Sequence, residues 1–375
     1  MAARLACCAE HGLVKLATAA LFVVCGMGCK QSGHKSEPVT STAYWKAEYR
    51  DPQGLEERAS AAGLQLGPVS TAGLPAKGSE DAAGLLVRPT AAGTTSDGEY
   101  GPDEAIDWVI DLEPRTAASF SRAAVLSAFD EPWKRNHGFV EVFGVAATGR
   151  WTYVRASDAP EAFRRLAVAV PLYPDPGDLG ARLAAIEKAA HALGAASVTP
   201  RRGVANAGQR ATALSSLADE LGRAEATAIL KAGDGKTFDG RAIWDAMLSL
   251  GLTWGDMDLF HWDNPNRGVG DDSFFSVSTN TAPGYFLPRE IAAGRVYAVD
   301  LVFSFSIPRS ADPEAVVDAM LAAAEYARRR LGGTLVDRDG AHLDPAALHR
   351  EVRAKAKQLR GAGLPPGASA ALRLF

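Results

Sequence analysis

The feature that most constrains this chain is an internal repeat. Leu183, Glu187, Leu193, Gly194, Val198 and Leu221 recur 138 positions later as Leu321, Glu325, Leu331, Gly332, Val336 and Leu359. The stretch from Ser121 to Phe143 runs parallel to "GRAIWDAMLSLGLTWGDMDLF", and "LAVAVPLYPDPGDLGARLAAIEKAAHALGA" parallels "LVFSFSIPRSADPEAVVDAMLAAAEYARRRLGG". Self-similarity over such a distance marks a duplicated unit. The expectation is therefore a tandem pair of one α/β domain of the α+β type, over residues 103–222 and 223–362. The first copy is shorter by about 20 residues before its long central strand, which predicts a smaller sheet.

Local patterns say what each unit contains. In "DPEAVVDAMLAAAEYARRRLGG" Asp312 suits a helix cap and Pro313 the first helical position. Val316, Val317, Met320, Leu321, Ala324 and Leu331 then repeat at helical spacing, three arginines fill the last turn, and Gly332 follows. "LDPAALHREVRAKAKQLRG" repeats the plan with Asp344 and Pro345, and "DGRAIWDAMLSLG" predicts a third helix. Between them, "ATAILKA", "GDMDLFHW", "SFFSVSTN" and "VYAVDLVFSFSIP" alternate as strands do. Leu301, Phe303, Phe305 and Ile307 point one way while Val302, Ser304 and Ser306 point the other, so the sheet has one covered face. An antiparallel sheet with helices packed on one face is the expected fold class.

Several chemistries are excluded on residue types. "AGDGKTF" ends like a phosphate loop, but Leu230 stands where the motif needs glycine. "RGVGDD", residues 267–272, lies between two strand patterns and reads as a polar hairpin loop. Alternation through "GDMDLFHW" sends Asp256, Asp258, Phe260 and Trp262 to one side and Met257, Leu259 and His261 to the other. Carboxylates and histidine are thereby held apart, which argues against metal or acid/base work. With no nucleophile elbow or zinc-helix spacing, the chain does not read as an enzyme, and it calls for no cofactor, metal or small-molecule substrate. A net charge of −4 without a dense basic run gives no field to attract nucleic acid. What remains is a sheet face carrying Met257, Leu259 and Val302 among Ser276, Ser278, Asn280, Ser304 and Ser306. It reads either as a groove for a peptide or as a solvated face.

The ends are of another character. All four cysteines lie within the first 29 residues, so the rest has neither a disulfide framework nor a thiolate metal site. Residues 1–29 read as a signal or anchor segment: the apolar run from Leu16 to Met27 is short for a span of roughly 20 residues and suits a signal-peptide core. "GMGC" resembles a lipobox with Cys29 as the lipidated residue. A short uncleaved membrane anchor and a misassigned start codon are the other readings. Residues 30–102, rich in Ala, Gly, Ser, Thr and Pro, read as a disordered tether, with "EYRDPQGLEERASAAG" as a marginal helix. Residues 363–375, "GLPPGASAALRLF" from Gly363, read as a C-terminal tail.

The helix leading into Gly-Asp-Met, the Phe-Ser strand leading into "PGYF", the long strand ending in "SIP" and the helix ending "LGG" occur here in one order. That order resembles the C-terminal domain of the ZipA family, membrane-tethered bacterial division proteins that bind FtsZ, over about Thr227 to Leu359. The resemblance implies a six-stranded antiparallel sheet, helices on one face, and a shallow apolar groove on the other that takes the C-terminal tail of FtsZ. It places the groove at Met257, Leu259, Ser278, Asn280, Val302 and Ser304. Met257 matches the family's methionine. Asn280 stands where a second methionine is expected, Ser304 where a phenylalanine is, and Ala282 where a basic residue is.

Two functions follow. The first is a membrane-anchored division adaptor whose C-terminal domains face the cytoplasm and FtsZ, supporting septum assembly. The second is an exported lipoprotein, held at Cys29 and facing the periplasm, that uses the domain pair as an envelope scaffold or as a binder of another peptide.

Overall fold

Helices form where the capping aspartates stand. Asp239, Asp312 and Asp344 accept from the amides of Ala242 (3.1 Å), Ala315 (3.1 Å) and Ala346 (2.9 Å), each satisfying an amide that the first helical turn leaves unpaired. The structure is a computed structural model that describes residues 74–82, 84–89, 101–115, 119–266 and 268–375. The expected signal or anchor segment, Cys29 and the marginal helix lie outside the described residues.

The first lobe runs β1 (Asp107–Pro114), β2 (Phe120–Ser121), α1 (Arg122–Ala128), α2 (Glu131–His137), β3 (Glu141–Val145), β4 (Trp151–Tyr153), β5 (Ala162–Phe163), β6 (Arg165–Pro171), α3 (Leu179–Ala192), β7 (Ala195–Pro200) and α4 (Val204–Leu221). The second runs β8 (Glu225–Lys231), β9 (Phe238–Asp239), α5 (Gly240–Ser249), β10 (Thr253–Gly255), β11 (Leu259–Asp263), β12 (Ser273–Ser278), α6 (Pro288–Ala292), β13 (Tyr297–Ala298), β14 (Asp300–Ser306), α7 (Pro313–Leu331), β15 (Thr334–Val336) and α8 (Pro345–Gly361), and α9 (Ser369–Leu374) ends the chain.

Among the described residues, the first lobe's sheet has the order β4-β3-β6-β1-β7 and the second lobe's β10-β11-β12-β14-β8-β15. Every pairing is antiparallel. In each lobe a long strand, β6 or β14, lies against the lobe's first strand, and a small ribbon, β2 with β5 or β9 with β13, leads into a helix. Helix α7 packs against β8, β12, β14 and β15. Its Val316, Met320 and Ala323 share a core with Leu230, Phe260, Val277, Leu301 and Phe303. This burial leaves the opposite face of the second sheet uncovered by helices of its own lobe.

Two expectations are corrected. Part of the segment read as tether, residues 74–82 and 84–89, is docked on the second lobe. Ala82 enters the core, with Leu74, Leu85 and Leu86 against it. Trp244 Nε1 donates to Pro75 O at 3.0 Å, and Tyr326 Oη and Arg330 Nη1 donate to Asp81 at 2.9 and 2.6 Å. Few apolar residues suffice here because polar ones anchor the strap between α5 and α7.

The residues read as a tail also fold. Leu364, Ala370 and Leu374 of the last segment join the core of the first lobe, together with Leu359 from α8. Gly367, at φ 69°, sits where a Cβ would lie 2.5 Å from the Ala311 backbone, so only glycine fits. Its amide donates to Pro308 O and its carbonyl accepts from Gly270 N, each at 2.8 Å. Arg373 then donates through both Nη atoms to the carboxylate of Asp107, at 3.0 and 2.9 Å. The last helix thereby ties the two lobes together at the end of the first sheet where β1 begins.

Asp107 is fully buried, and burial raises its carboxyl above the usual carboxylate range although the Arg373 hydrogen bonds oppose the rise. The native state thus holds this proton more tightly than the unfolded chain. The group's contribution to stability is fullest in acid and declines as pH climbs through the raised pKa. Arg373→Ala leaves the buried carboxylate without its cation, so the variant is expected to lose about 2–3 kcal/mol at neutral pH. The gap should narrow in acid as Asp107 takes up its proton; a pH-independent gap in urea unfolding would contradict this.

For the strap the sign is opposite. The Ser79 hydroxyl first, and then the Tyr326 hydroxyl, hold the Asp81 carboxyl below its usual value, so docking is favoured above that range and weakens as pH falls through the lowered pKa. Limited proteolysis between residues 74 and 89 is expected to accelerate only at that acidic end. Acceleration instead on raising the pH would contradict the assignment.

Candidate functional site: the open face of the second sheet

The stretch "GDMDLFHW" departs from the continuous strand that its alternation predicts. Strands β10 and β11 pair as Thr253↔His261, Trp254↔Phe260 and Gly255↔Leu259, so Asp256, Met257 and Asp258 form a hairpin tip. Met257 (φ 56°) and Asp258 (φ 59°) both adopt left-handed backbone. Aspartate tolerates that region, but methionine pays about 1 kcal/mol for it. The tip is held from both sides: His261 Nε2 bonds Asp256 O at 2.8 Å, and the Phe286 amide donates to Asp258 O at 2.8 Å. Met257 is consequently not a pleat residue of the face; it stands 75% exposed at the end of β11.

From Leu259 onward the alternation holds. Phe260 and Trp262 are buried toward the helices, Phe260 with its ring centroid 5.3 Å from Trp244 and 5.2 Å from Phe286. Leu259 and His261 turn to the other side and remain half-buried. The face therefore begins at Leu259.

Across the sheet, register assembles two rows on this face. Ser278 lies opposite Val302, Val302 opposite Ile229, and Ile229 opposite Val336. Alongside run His261, Ser276, Ser304 and Thr227. The first row is mostly apolar and the second polar, and Leu259, Ser278, Val302 and Ser304 share this face. Ile229 and Val336 were not anticipated; their signal is the alternation in "EATAILK" and "TLV", but only long-range register shows that they flank Val302. Arg338 closes the far end, donating to Thr227 Oγ1 at 2.9 Å and Glu225 Oε2 at 2.5 Å.

Asn280 does not belong to either row. It follows the end of β12, where its amide and Nδ2 each donate to Asp300 at 2.8 Å, and Thr279 Oγ1 donates to the same carboxylate at 3.0 Å. Asp300 is buried and accepts these three bonds, and among the described residues it forms no ion pair. Asn280 is thus committed to fastening a loop.

On this face Leu259, Val302 and Ile229 are half-buried, Val336 and Thr227 are buried toward the β15 edge, and no carboxylate or amine stands at the centre. Among the described residues no cluster of three histidine, cysteine or acidic side chains could hold a metal ion. Such a surface can bind an extended or helical segment through apolar contact and hydroxyl hydrogen bonds.

Comparison with known proteins bears on what that segment is. Residues 227–354 match the family described as "ZipA, C-terminal FtsZ-binding domain". Proteins named cell division protein ZipA are similar over the same part of the chain. That of Ectopseudomonas mendocina is 35% identical over 106 residues, 28% of this chain and 38% of its own length. That of Shewanella loihica is 30% identical over 106 residues (28% and 31%), and that of Pseudomonas aeruginosa 34% over 106 residues (28% and 36%). The similarity spans about a third of the length of these relatives, and it covers the second lobe, not the first. The match to the ZipA C-terminal domain family thus falls on the second sheet with the helices that cover one of its faces.

Proposed function

We propose that this chain is a non-enzymatic adaptor of cell division, attached to the membrane through its N-terminal segment, that holds the C-terminal tail of FtsZ on the open face of the second lobe and so supports septum assembly. The observation that carries the reading is a coincidence of place. The family match falls on the lobe whose uncovered face aligns Leu259, Val302 and Ile229, with Met257 exposed at its end.

Energetics set the strength of such a contact. Burying a large apolar side chain is worth roughly 1.5–3 kcal/mol. Serine at 304, in place of the phenylalanine that the resemblance implies, weakens one tail's affinity by about tenfold or more. A polymer displaying many tails to an array of anchored adaptors compensates through effective concentration.

The shared strand order supports reading residues 103–222 as a diverged copy, with a structural role, because its core receives α9. No helix among the described residues is long and apolar enough to cross a membrane. The anchor in this proposal therefore falls on residues 1–29, and the lobes share a compartment with FtsZ.

In co-sedimentation with FtsZ polymers, wild type is expected to be retained at roughly tens of micromolar protein. Val302→Asp should abolish retention, and Ser304→Phe should strengthen it about tenfold. Failure of both wild type and Ser304→Phe to be retained would overturn the proposal. A second outcome concerns the strained tip: Met257→Gly should raise folding stability by about 0.5–1 kcal/mol while lowering FtsZ retention. A variant that is both more stable and fully retained would show that Met257 takes no part in binding.

A further inference from the structure

Arg182, in the first turn of α3, is only 8% exposed, and among the described residues no carboxylate pairs with it. Its Nη1 donates to Pro176 O at 2.9 Å and its Nη2 to Phe139 O, while Nε is shielded and has no acceptor. Carbonyl oxygens orient a guanidinium without cancelling its charge, and a buried charge left unpaired is costly. Burial alone pushes the Arg182 pKa down, with no neighbouring carboxylate opposing the shift. The chain around it is shaped to admit the group: Gly138, at φ 89°, passes so near that a Cβ there would lie 2.9 Å from Arg182 Cζ. The offset of 138 that relates Leu183 to Leu321 sets Met320 opposite Arg182, and Met320 is fully buried in the second lobe's core. An apolar side chain thus satisfies this position of the fold, and the arginine answers another requirement.

A cavity beside the arginine indicates what that is. It has a volume of about 580 Å³, lies between the end of α2 and the loop from β6 to α3, and has Arg182 in its wall. Phe139, Tyr173, Pro174 and Pro176 give it apolar lining, and Phe139 is 52% exposed. Its size is that of a small-molecule site. Asp175 and Asp178 also stand in the wall, but each accepts from a backbone amide, of Gly177 at 2.8 Å and of Ala181 at 3.0 Å, and not from Arg182. Two carboxylates so placed admit one negative charge at the guanidinium and disfavour a second. A single carboxylate on an apolar body therefore suits this wall better than a phosphate does.

We propose that this cavity of the first lobe binds a small organic monocarboxylate with an aromatic or branched aliphatic body, its carboxylate on Arg182 and its body against Phe139 and Tyr173. None of these residues belongs to the open face of the second lobe, and the site depends on nothing proposed for that face.

The test is ligand-observed NMR titration of the full chain with acetate, isocaproate, benzoate and hydrocinnamate. At least one of the last three is expected to bind with a Kd of about a millimolar or tighter. Acetate, which lacks the body, should bind at least about tenfold more weakly. The carboxamide of the tightest acid keeps the body, loses the charge, and should also bind at least about tenfold more weakly. Ala181 is exposed and lines the cavity, so Ala181→Trp should fill the space and abolish binding, and Phe139→Ser should weaken it several-fold. Arg182→Gln should abolish binding too. Because Arg182 also fastens two loops, thermal unfolding of each variant is measured alongside, and if Arg182→Gln does not fold, Ala181→Trp and the carboxamide decide. Val204→Ser, at an exposed apolar residue of the same lobe outside the cavity, should leave binding unchanged. No binding of any of the four acids up to about 10 mM, equal binding of the carboxamide, or undiminished binding to a folded Ala181→Trp would each overturn the proposal.

Discussion

The pairing of β14 with β8 is the constraint on which the functional surface depends. It runs without a break from Asp300↔Lys231 to Ser306↔Glu225. Leu301 and Phe303 are fully buried and Phe305 nearly so, in a core shared with Val316 and Met320 of α7. Because strand side chains alternate, burying that set forces Val302, Ser304 and Ser306 outward. A slip of one residue would bury three polar or small groups and expose two phenylalanines, so the face is specified by the same free energy that folds the lobe. Binding chemistry here is therefore a by-product of core formation, tuned by whichever residues stand at the alternate positions.

Those alternate positions explain why the surface is divided. The centre of the face has only aliphatic Val302, Ile229 and Leu259 among hydroxyls, while larger apolar groups lie beyond the strand ends, at Met257, Tyr285, Leu287 and Tyr297. Keeping a methionine in left-handed backbone at the hairpin tip costs about 1 kcal/mol, and strain of this sort concentrates at functional positions. Polar ties fasten the hairpin tip and the loop after β12: His261 to Asp256 O, and Asn280 to Asp300.

Much of the fold was legible in the sequence because it rests on local rules. Asp312 and Asp344 cap the helices that Pro313 and Pro345 begin, and the alternation in "DLVFSFS" gives the correct buried and open sides. What misled was a coincidence of period. Met257 falls two places before Leu259, on the same side of an extended strand, so only the backbone angles at Met257 and Asp258 reveal a turn. The strap and the C-terminal helix escaped notice for a different reason. "LPAKGSEDAAG" and "GLPPGASAALRLF" have few apolar residues and many turn formers, and their order comes from distant groups, Trp244 and Tyr326 for one and Asp107 for the other. Ile229 and Val336 belong to the face only through register, which no local pattern encodes.

Engagement of FtsZ by the open face of the second lobe, as proposed, is open to direct measurement. Hydrogen–deuterium exchange of the full chain with and without FtsZ polymers tests it most directly. Added protection is expected over residues 255–261, 276–287 and 297–304, with the strands of the first lobe unchanged. Protection confined to the first lobe, or none at saturating FtsZ, would contradict it.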